Sequence, residues 1–83
     1  SPDDYFILDS LGWAQFREGD LKGAARTLRR AYAGRPDAEI GAHLGEVLWQ
    51  LGERDEAHRI WQESFKSSPE NETLRKTLQR LRR

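Results

Sequence analysis

Two stretches of the chain decide its fold: ILDSLGWAQFREG at residues 7–19 and IGAHLGEVLWQLG at residues 40–52. They align without a gap when the sequence is shifted by 33 residues. The same shift brings identical residues together along most of the chain: Ile7 with Ile40, Leu11 with Leu44, Gly12 with Gly45, Gly19 with Gly52, Ala24 with Ala57, Arg26 with Arg59 and Pro36 with Pro69. Self-similarity at a fixed period of this length is typical of repeat architectures.

Each repeat unit predicts a pair of helices. In the first unit, Gly19 ends one helix, because glycine readily adopts the left-handed conformation, and Asp20 caps the next. Gly34 and Pro36 end the second helix. Apolar residues recur at helical spacing along both: Ile7, Leu8, Leu11 and Ala14 on the first, then Leu21, Ala24, Ala25, Leu28 and Tyr32 on the second.

The second unit follows the same plan, and a fifth helix comes after it. Asp37 caps the first helix of this unit, Gly52 ends that helix, and Pro69 ends the next. The fifth helix is expected from about Glu70. The apolar residues are Ile40, Leu44, Val47, Leu48 and Leu51, then Ala57, Ile60, Trp61 and Phe65 with Ser64 on the same side, and finally Leu74, Leu78 and Leu81. At the start of the chain, Ser1 is expected to cap the first helix, with Pro2 in its first turn.

Because two-to-four-residue turns favour antiparallel neighbours, the sequence predicts an all-α stack of helix-turn-helix units. Residues 5–37 form the first unit, residues 38–71 the second, and residues 72–83 a capping helix. Together, residues 1–83 make one domain.

Composition excludes several functions. Fourteen basic and 14 acidic residues give a formal net charge of zero, which argues against nucleic acid as a partner. The chain has no cysteine, and no apolar run approaches the length of a membrane span. Methionine is absent even from position 1, which indicates a piece of a longer protein.

The repeated positions resemble the tetratricopeptide repeat (TPR), whose pattern has Leu-Gly, an aromatic residue, Ala and Pro at fixed places. The resemblance covers residues 5–71. It implies a right-handed solenoid that serves as a scaffold or adaptor for other proteins, without enzymatic activity or a cofactor. It also implies that the small residues Gly12, Gly45, Ala24 and Ala57 let paired helices approach closely, and that Leu28 and Trp61 fill the space between units. The sequence departs from the family at Leu8 and Gly41, where tryptophan is usual, and in its period of 33 rather than 34.

Residues 9–13 and 43–49 also resemble the last repeats of large bacterial TPR lipoproteins on the periplasmic side of the outer membrane. Some of those proteins are similar to adaptors that hold a carboxyl-terminal processing protease and its substrates. This resemblance implies a periplasmic location through an N-terminal anchor missing from this chain, and a protease or its substrates as partner.

Family members usually bind partners on the concave face, which is lined by the first helix of each unit. The residues that the TPR register places there are Phe6, Asp9, Trp13, Phe16 and Arg17, then Glu46, Trp49 and Gln50, with Lys76 and Arg80 from the last helix. Aromatic side chains beside charges at helical spacing suit a groove for a peptide or a helix. The alternative for Phe16 and Trp49 is a place in the core, whereas Trp13 is expected at the surface because Glu46 occupies its position in the second unit.

Two other interpretations remain. His43 and Glu46 lie one turn apart, but no third ligand or catalytic partner accompanies them, so neither a metal site nor an enzyme is expected. The chain is otherwise a structural cap or self-association segment of a longer solenoid without a ligand of its own. In that interpretation, the apolar residues Tyr5, Phe6, Leu8 and Leu21 at the uncapped N-terminal end meet a preceding repeat or a second copy.

Overall fold

The computed structural model describes residues 4–81, and this range forms five α-helices. Their bounds are Tyr5–Arg17 (α1), Leu21–Gly34 (α2), Ala38–Gln50 (α3), Arg54–Ser67 (α4) and Glu72–Leu81 (α5). Within residues 4–81 there is no β-strand. α1 packs on α2, α3 packs on α4, α2 joins the two pairs by packing on α3, and α5 closes the array against α3 and α4. The predicted all-α fold, two helix pairs with a capping helix, is confirmed.

Short polar side chains begin the helices where the sequence places them. The Asp20 carboxylate accepts a hydrogen bond from the amide of Gly23, and the Asp37 carboxylate accepts one from Glu39. α1 begins at Tyr5 with Asp4 as its cap, and the predicted Ser1 cap lies outside the described residues. α5 begins at Glu72 rather than near Glu70, because the side chain of Asn71 accepts from the amide of Leu74.

Glycines let the two helices of each unit touch. A β-carbon on Gly12 would lie 2.6 Å from Cγ of Leu28, and one on Gly45 would overlap the indole of Trp61. Both large side chains are almost fully buried. The expected close approach at Gly12 and Gly45 is therefore present. Leu28 and Trp61 each lie over the glycine of their own unit, and both belong to the single core that the two units share.

The two units differ in what covers their first helix. Ile40 and Leu44 of α3 are 0% and 1% exposed, because α3 packs against α1 and α2. Their equivalents in α1, Ile7 and Leu11, are 62% and 50% exposed. The most exposed apolar side chains at this end are therefore Ile7 and Leu11 together with Phe6.

The four residues predicted to meet a preceding repeat or a second copy differ in exposure, and only Phe6 is exposed. Tyr5 lies against Gly34 at the end of α2 and is half-buried. Leu8 and Leu21 are also half-buried within the first unit. Leu8 and Leu11 of α1 lie together beside Thr27 of α2, so Leu8 remains part of the apolar surface at this end.

None of the helices in the described part of the chain combines the length and hydrophobicity that crossing a membrane requires.

Candidate protein-binding surface

The first helices of the units lie side by side, since α3 packs against both α1 and α5. We call the surface that α1, α3 and α5 form the A-helix face. Its polar contacts, aromatic stacks and exposed cations decide what the face offers to another molecule.

One cluster joins α1 to α3. A carboxylate oxygen of Asp9 lies 2.8 Å from Nδ1 of His43, and both side chains are largely buried. The indole of Trp13 stacks on the His43 imidazole with centroids 4.1 Å apart, and the ring of Phe16 stacks on the same indole with centroids 4.8 Å apart. The carboxylate, the imidazole and the two aromatic rings thus form one connected seam between the units.

A second set of contacts joins α3 to α5. The two terminal guanidinium nitrogens of Arg80, Nη1 and Nη2, donate to the carboxylate of Glu46 at 2.8 and 2.7 Å. This hydrogen-bonded carboxylate raises the pKa of Arg80 above its ordinary value, so the guanidinium stays charged. The hydroxyl of Thr73 donates to Glu39 at 2.9 Å. Because Glu46 turns toward α5, it does not pair with His43, and the hypothetical His43–Glu46 pair is absent.

The three contacts share a spacing. Asp9 with His43, Glu39 with Thr73, and Glu46 with Arg80 are each 34 residues apart. In every case the acceptor is an acidic residue of one first helix and its partner belongs to the next first helix. Acidic side chains therefore connect α1 to α3 and α3 to α5 along the A-helix face.

The structure disperses some of the predicted site residues. Trp49 lies against α4, where its ring meets Trp61 and His58, and the guanidinium of Arg54 sits 4.1 Å from its centroid. Both Phe16 and Trp49 are half-buried and pack against the hydrophobic core, as the alternative placed them. Trp13 is half-buried rather than fully at the surface, because His43 covers one side of its ring.

Other predicted residues are accessible. Phe6 is exposed with the guanidinium of Arg35 5.0 Å from its ring centroid. Arg17 and Gln50 are exposed, and Lys76 is exposed while pairing with Glu72 at 2.8 Å. Phe6, Trp13 and Arg17 recur at the spacing of one helix face on α1.

Sequence reasoning missed Glu39 and Thr73, and it did not assign His43 to the seam. A signal existed in the sequence: Asp9, Glu39 and Glu46 are each followed 34 positions later by a residue that can donate a hydrogen bond. The 33-residue alignment concealed it, because it pairs Asp9 with Ala42 rather than with His43.

No group of three or more metal-binding side chains comes together within residues 4–81. The A-helix face thus consists of satisfied acidic groups, stacked aromatic rings and exposed cations, a composition suited to contacts with a polypeptide.

Comparison with known proteins agrees with the helix pairs. The family model described as tetratricopeptide repeat matches residues 8–30 and 38–63, together more than half of the chain. The chain belongs to the tetratricopeptide repeat family. The two matched ranges fall on the α1–α2 pair and the α3–α4 pair.

The chain is also similar to TPR repeat-containing protein PA4667 of Pseudomonas aeruginosa. The two are 48% identical over 81 residues, which cover 98% of this chain and 14% of that protein. The chain therefore spans about one-seventh of the length of this TPR relative.

Proposed function

We propose that this chain is a protein-interaction module that binds a segment of a partner protein on its A-helix face. TPR proteins are generally scaffolds without catalytic activity, and the repeats mediate contacts with other proteins.

The observation that carries the proposal is the engagement of the acidic groups. Asp9, Glu39 and Glu46 are each bound by the following first helix. Arg17 and Lys76 remain exposed on the same helices. A partner approaching the A-helix face therefore meets aromatic edges, the cation of Arg17, and Lys76 paired with the exposed Glu72, although the chain as a whole is neutral.

This arrangement favours an acidic partner segment with at least one apolar anchor. Trp13 offers a rigid ring that is partly covered by His43 and partly open to solvent. Aromatic anchors of this kind supply much of the binding free energy at interfaces, while surrounding charges direct the partner. A periplasmic protease or one of its substrates is the partner class that we propose, and the interaction involves no turnover and no cofactor.

The proposal is tested by capture followed by quantitative binding. The immobilised chain is exposed to periplasmic and cytosolic extracts of its source, and each captured protein is purified and titrated against the chain. Trp13→Ala and Arg17→Ala are expected to weaken binding by at least tenfold. Arg54→Ala is the matched control, since Arg54 is an exposed arginine on Trp49 away from this face. Equal affinities for the Trp13, Arg17 and Arg54 variants would place the binding surface elsewhere.

The same extracts test the location. We propose a periplasmic, outer-membrane-associated protein on the strength of residues 9–13 and 43–49, which resemble the last repeats of TPR lipoproteins. A partner found in the cytosolic extract alone would contradict it.

A second candidate function is supported by the exposed flank of α1. Ile7 and Leu11 form an apolar surface at the end of the array, which fits a structural segment of a longer solenoid or self-association through this end. Sedimentation across a hundredfold concentration range separates the two versions, because self-association makes the measured mass rise with concentration.

A further inference from the structure

The exposed flank of the first unit forms a groove with a positive rim. Leu8, Leu11 and Thr27 line it, and Arg26 and Arg30 of α2 border it, around a volume of about 210 Å³. Ile7, one turn before Leu11, extends the apolar surface. In the second unit, the equivalent flank of α3 is covered by α2, which packs against it.

Side-chain contacts between α2 and α4 show how α2 is held on the second unit. Arg29 of α2 binds Glu56 of α4 at 2.7 Å, and the hydroxyl of Tyr32 donates to Glu63 at 3.0 Å. The ring of Tyr32 also lies over Gly41, where a β-carbon would come within 3.1 Å of it. The covering helix thus supplies a cation and a large phenol, and the covered unit supplies two carboxylates and a glycine.

The first unit has no carboxylate at these positions, and one of them carries the opposite charge. Shifted back by 33 residues, Glu63 becomes Arg30, Glu56 becomes Gly23, and Gly41 becomes Leu8. Arg26 keeps the place of Arg59, but Arg59 is bound by Glu56 and Glu63, which have no counterpart in the first unit. A helix resting here therefore meets Gly23 and Arg30 where α2 meets two glutamates, with Arg26 beside them, and a leucine where the Tyr32 ring needs open space.

We propose that this flank docks a helix of a preceding repeat in the same polypeptide, and that this helix carries Asp or Glu at the two positions equivalent to Arg29 and Tyr32. Carboxylates there face Arg26 and Arg30, and a side chain smaller than tyrosine passes Leu8. The relative of which this chain spans 14% has ample further length for such a repeat.

The same chemistry excludes copies of this chain's own helices as occupants. α2 brings Arg29 toward Arg26 and Arg30, and α4 brings Gln62 and Phe65 to the two positions. A symmetric dimer on this flank would oppose Arg26 and Arg30 to the same residues of the second copy, and opposed like charges are unfavourable. The inference concerns this flank alone and does not depend on a partner at the A-helix face.

The test extends the chain by one unit. A duplicate of residues 4–36 is joined directly before Asp4 of the otherwise natural sequence, which keeps the 33-residue period and brings the duplicated second helix onto Ile7 and Leu11. Three versions are compared: the duplicate unchanged, the duplicate with R29E and Y32E, and a neutral duplicate with R29Q and Y32Q.

The acidic duplicate is expected to unfold at the highest temperature, by about 4 °C or more over the neutral one, and this advantage is expected to shrink in high salt. Amide hydrogen exchange of α1 should slow in the same order. Equal midpoints for the acidic and neutral duplicates would overturn the proposal, as would a higher midpoint for the unchanged one.

A charge reversal provides the matched control. R30E in the natural part of the extended chain should abolish the preference for the acidic duplicate, and persistence of that preference would overturn the role of the arginine rim. Sedimentation of the unextended chain gives the remaining outcome. If it forms a dimer that Leu11→Glu abolishes, the occupant is a second copy and the proposal is wrong.

Discussion

The two terminal guanidinium nitrogens of Arg80 donate to the carboxylate of Glu46, and this bidentate contact joins α5 to α3 in the middle of the array. The partners differ in environment: Glu46 is 6% exposed, whereas Arg80 lies at the surface. Removing the arginine consequently leaves a carboxylate with little access to water.

Arg80→Ala is expected to lower the free energy of unfolding by about 2 kcal/mol, less than the loss for a fully buried pair because the guanidinium is exposed. Arg80→Lys keeps the charge without the paired geometry and should fall between wild type and Ala. Urea unfolding measures both. Gln79→Ala, at the exposed neighbouring position of α5, is the control, and a loss no larger than that of the control would show that the pair contributes nothing.

The contact between Asp9 and His43 should appear as a coupling between the first two units. A double-mutant cycle of Asp9→Ala and His43→Ala is expected to give an interaction free energy of about 2 kcal/mol, typical of a hydrogen bond to a charged group. Ser10→Ala, an exposed neighbour on α1, replaces Asp9→Ala in the control cycle. Additive effects in the first cycle would mean that the seam is held by the Trp13 stack alone.

The two helix-facing glycines should tolerate a methyl group unequally. At Gly45 the new β-carbon overlaps the rigid, buried indole of Trp61, so Gly45→Ala should cost about 3 kcal/mol. At Gly12 the obstacle is Cγ and Cδ2 of the buried Leu28 side chain, which can rotate where an indole cannot, and alanine favours helix, so Gly12→Ala should cost less, about 2 kcal/mol.

Chemical denaturation of the two variants checks this order. Gly52→Ala serves as a separate reference, since Gly52 has φ of 85° and open space around it and reports backbone strain without overlap. A larger loss for Gly12→Ala than for Gly45→Ala would contradict the packing described for Trp61.

Glu72 should titrate at unusually low pH. The hydrogen bond from Lys76, and then the charge of Lys76, lower the pKa of the Glu72 carboxyl, and the reverse interaction raises the pKa of Lys76. Because the folded pKa is depressed, any stability from this pair is present above the unfolded pKa of Glu and disappears as the pH falls through the folded pKa. Carboxyl NMR titration should show a lower midpoint in wild type than in Lys76→Gln. Identical midpoints would show that the pair does not persist in solution.

The fold was predictable because its signals are local or periodic. Gly19 and Gly52 adopt positive φ angles where the repeat places helix ends, and Asp20 and Asp37 cap the helices that follow. Apolar spacing then fixes which side of each helix is buried. No alignment of distant positions was needed beyond the single shift of 33 residues.

The seam of the A-helix face was harder to predict because it depends on which side chain lies opposite which across two helices. Asp9 reaches His43 rather than its repeat equivalent Ala42, an offset of one residue that no propensity encodes. Trp49 occupies a register position of the predicted binding face, yet its ring packs on α4 against Trp61 and His58. The exposure of Ile7 was likewise concealed, since its sequence pattern matches that of buried Ile40.

The position of α5 also sets how the A-helix face responds to motion. Among residues 4–81, α5 contacts α3 and α4 but neither helix of the first unit, so it is held from one side only. Whenever this edge opens, Arg80 and Lys76 leave the face. If a partner binds there as we propose, its apparent affinity falls with the fraction of molecules in which α5 is seated. A substitution that weakens the Asn71 cap would then lower the apparent affinity for the partner in proportion, although Asn71 itself does not contact the partner.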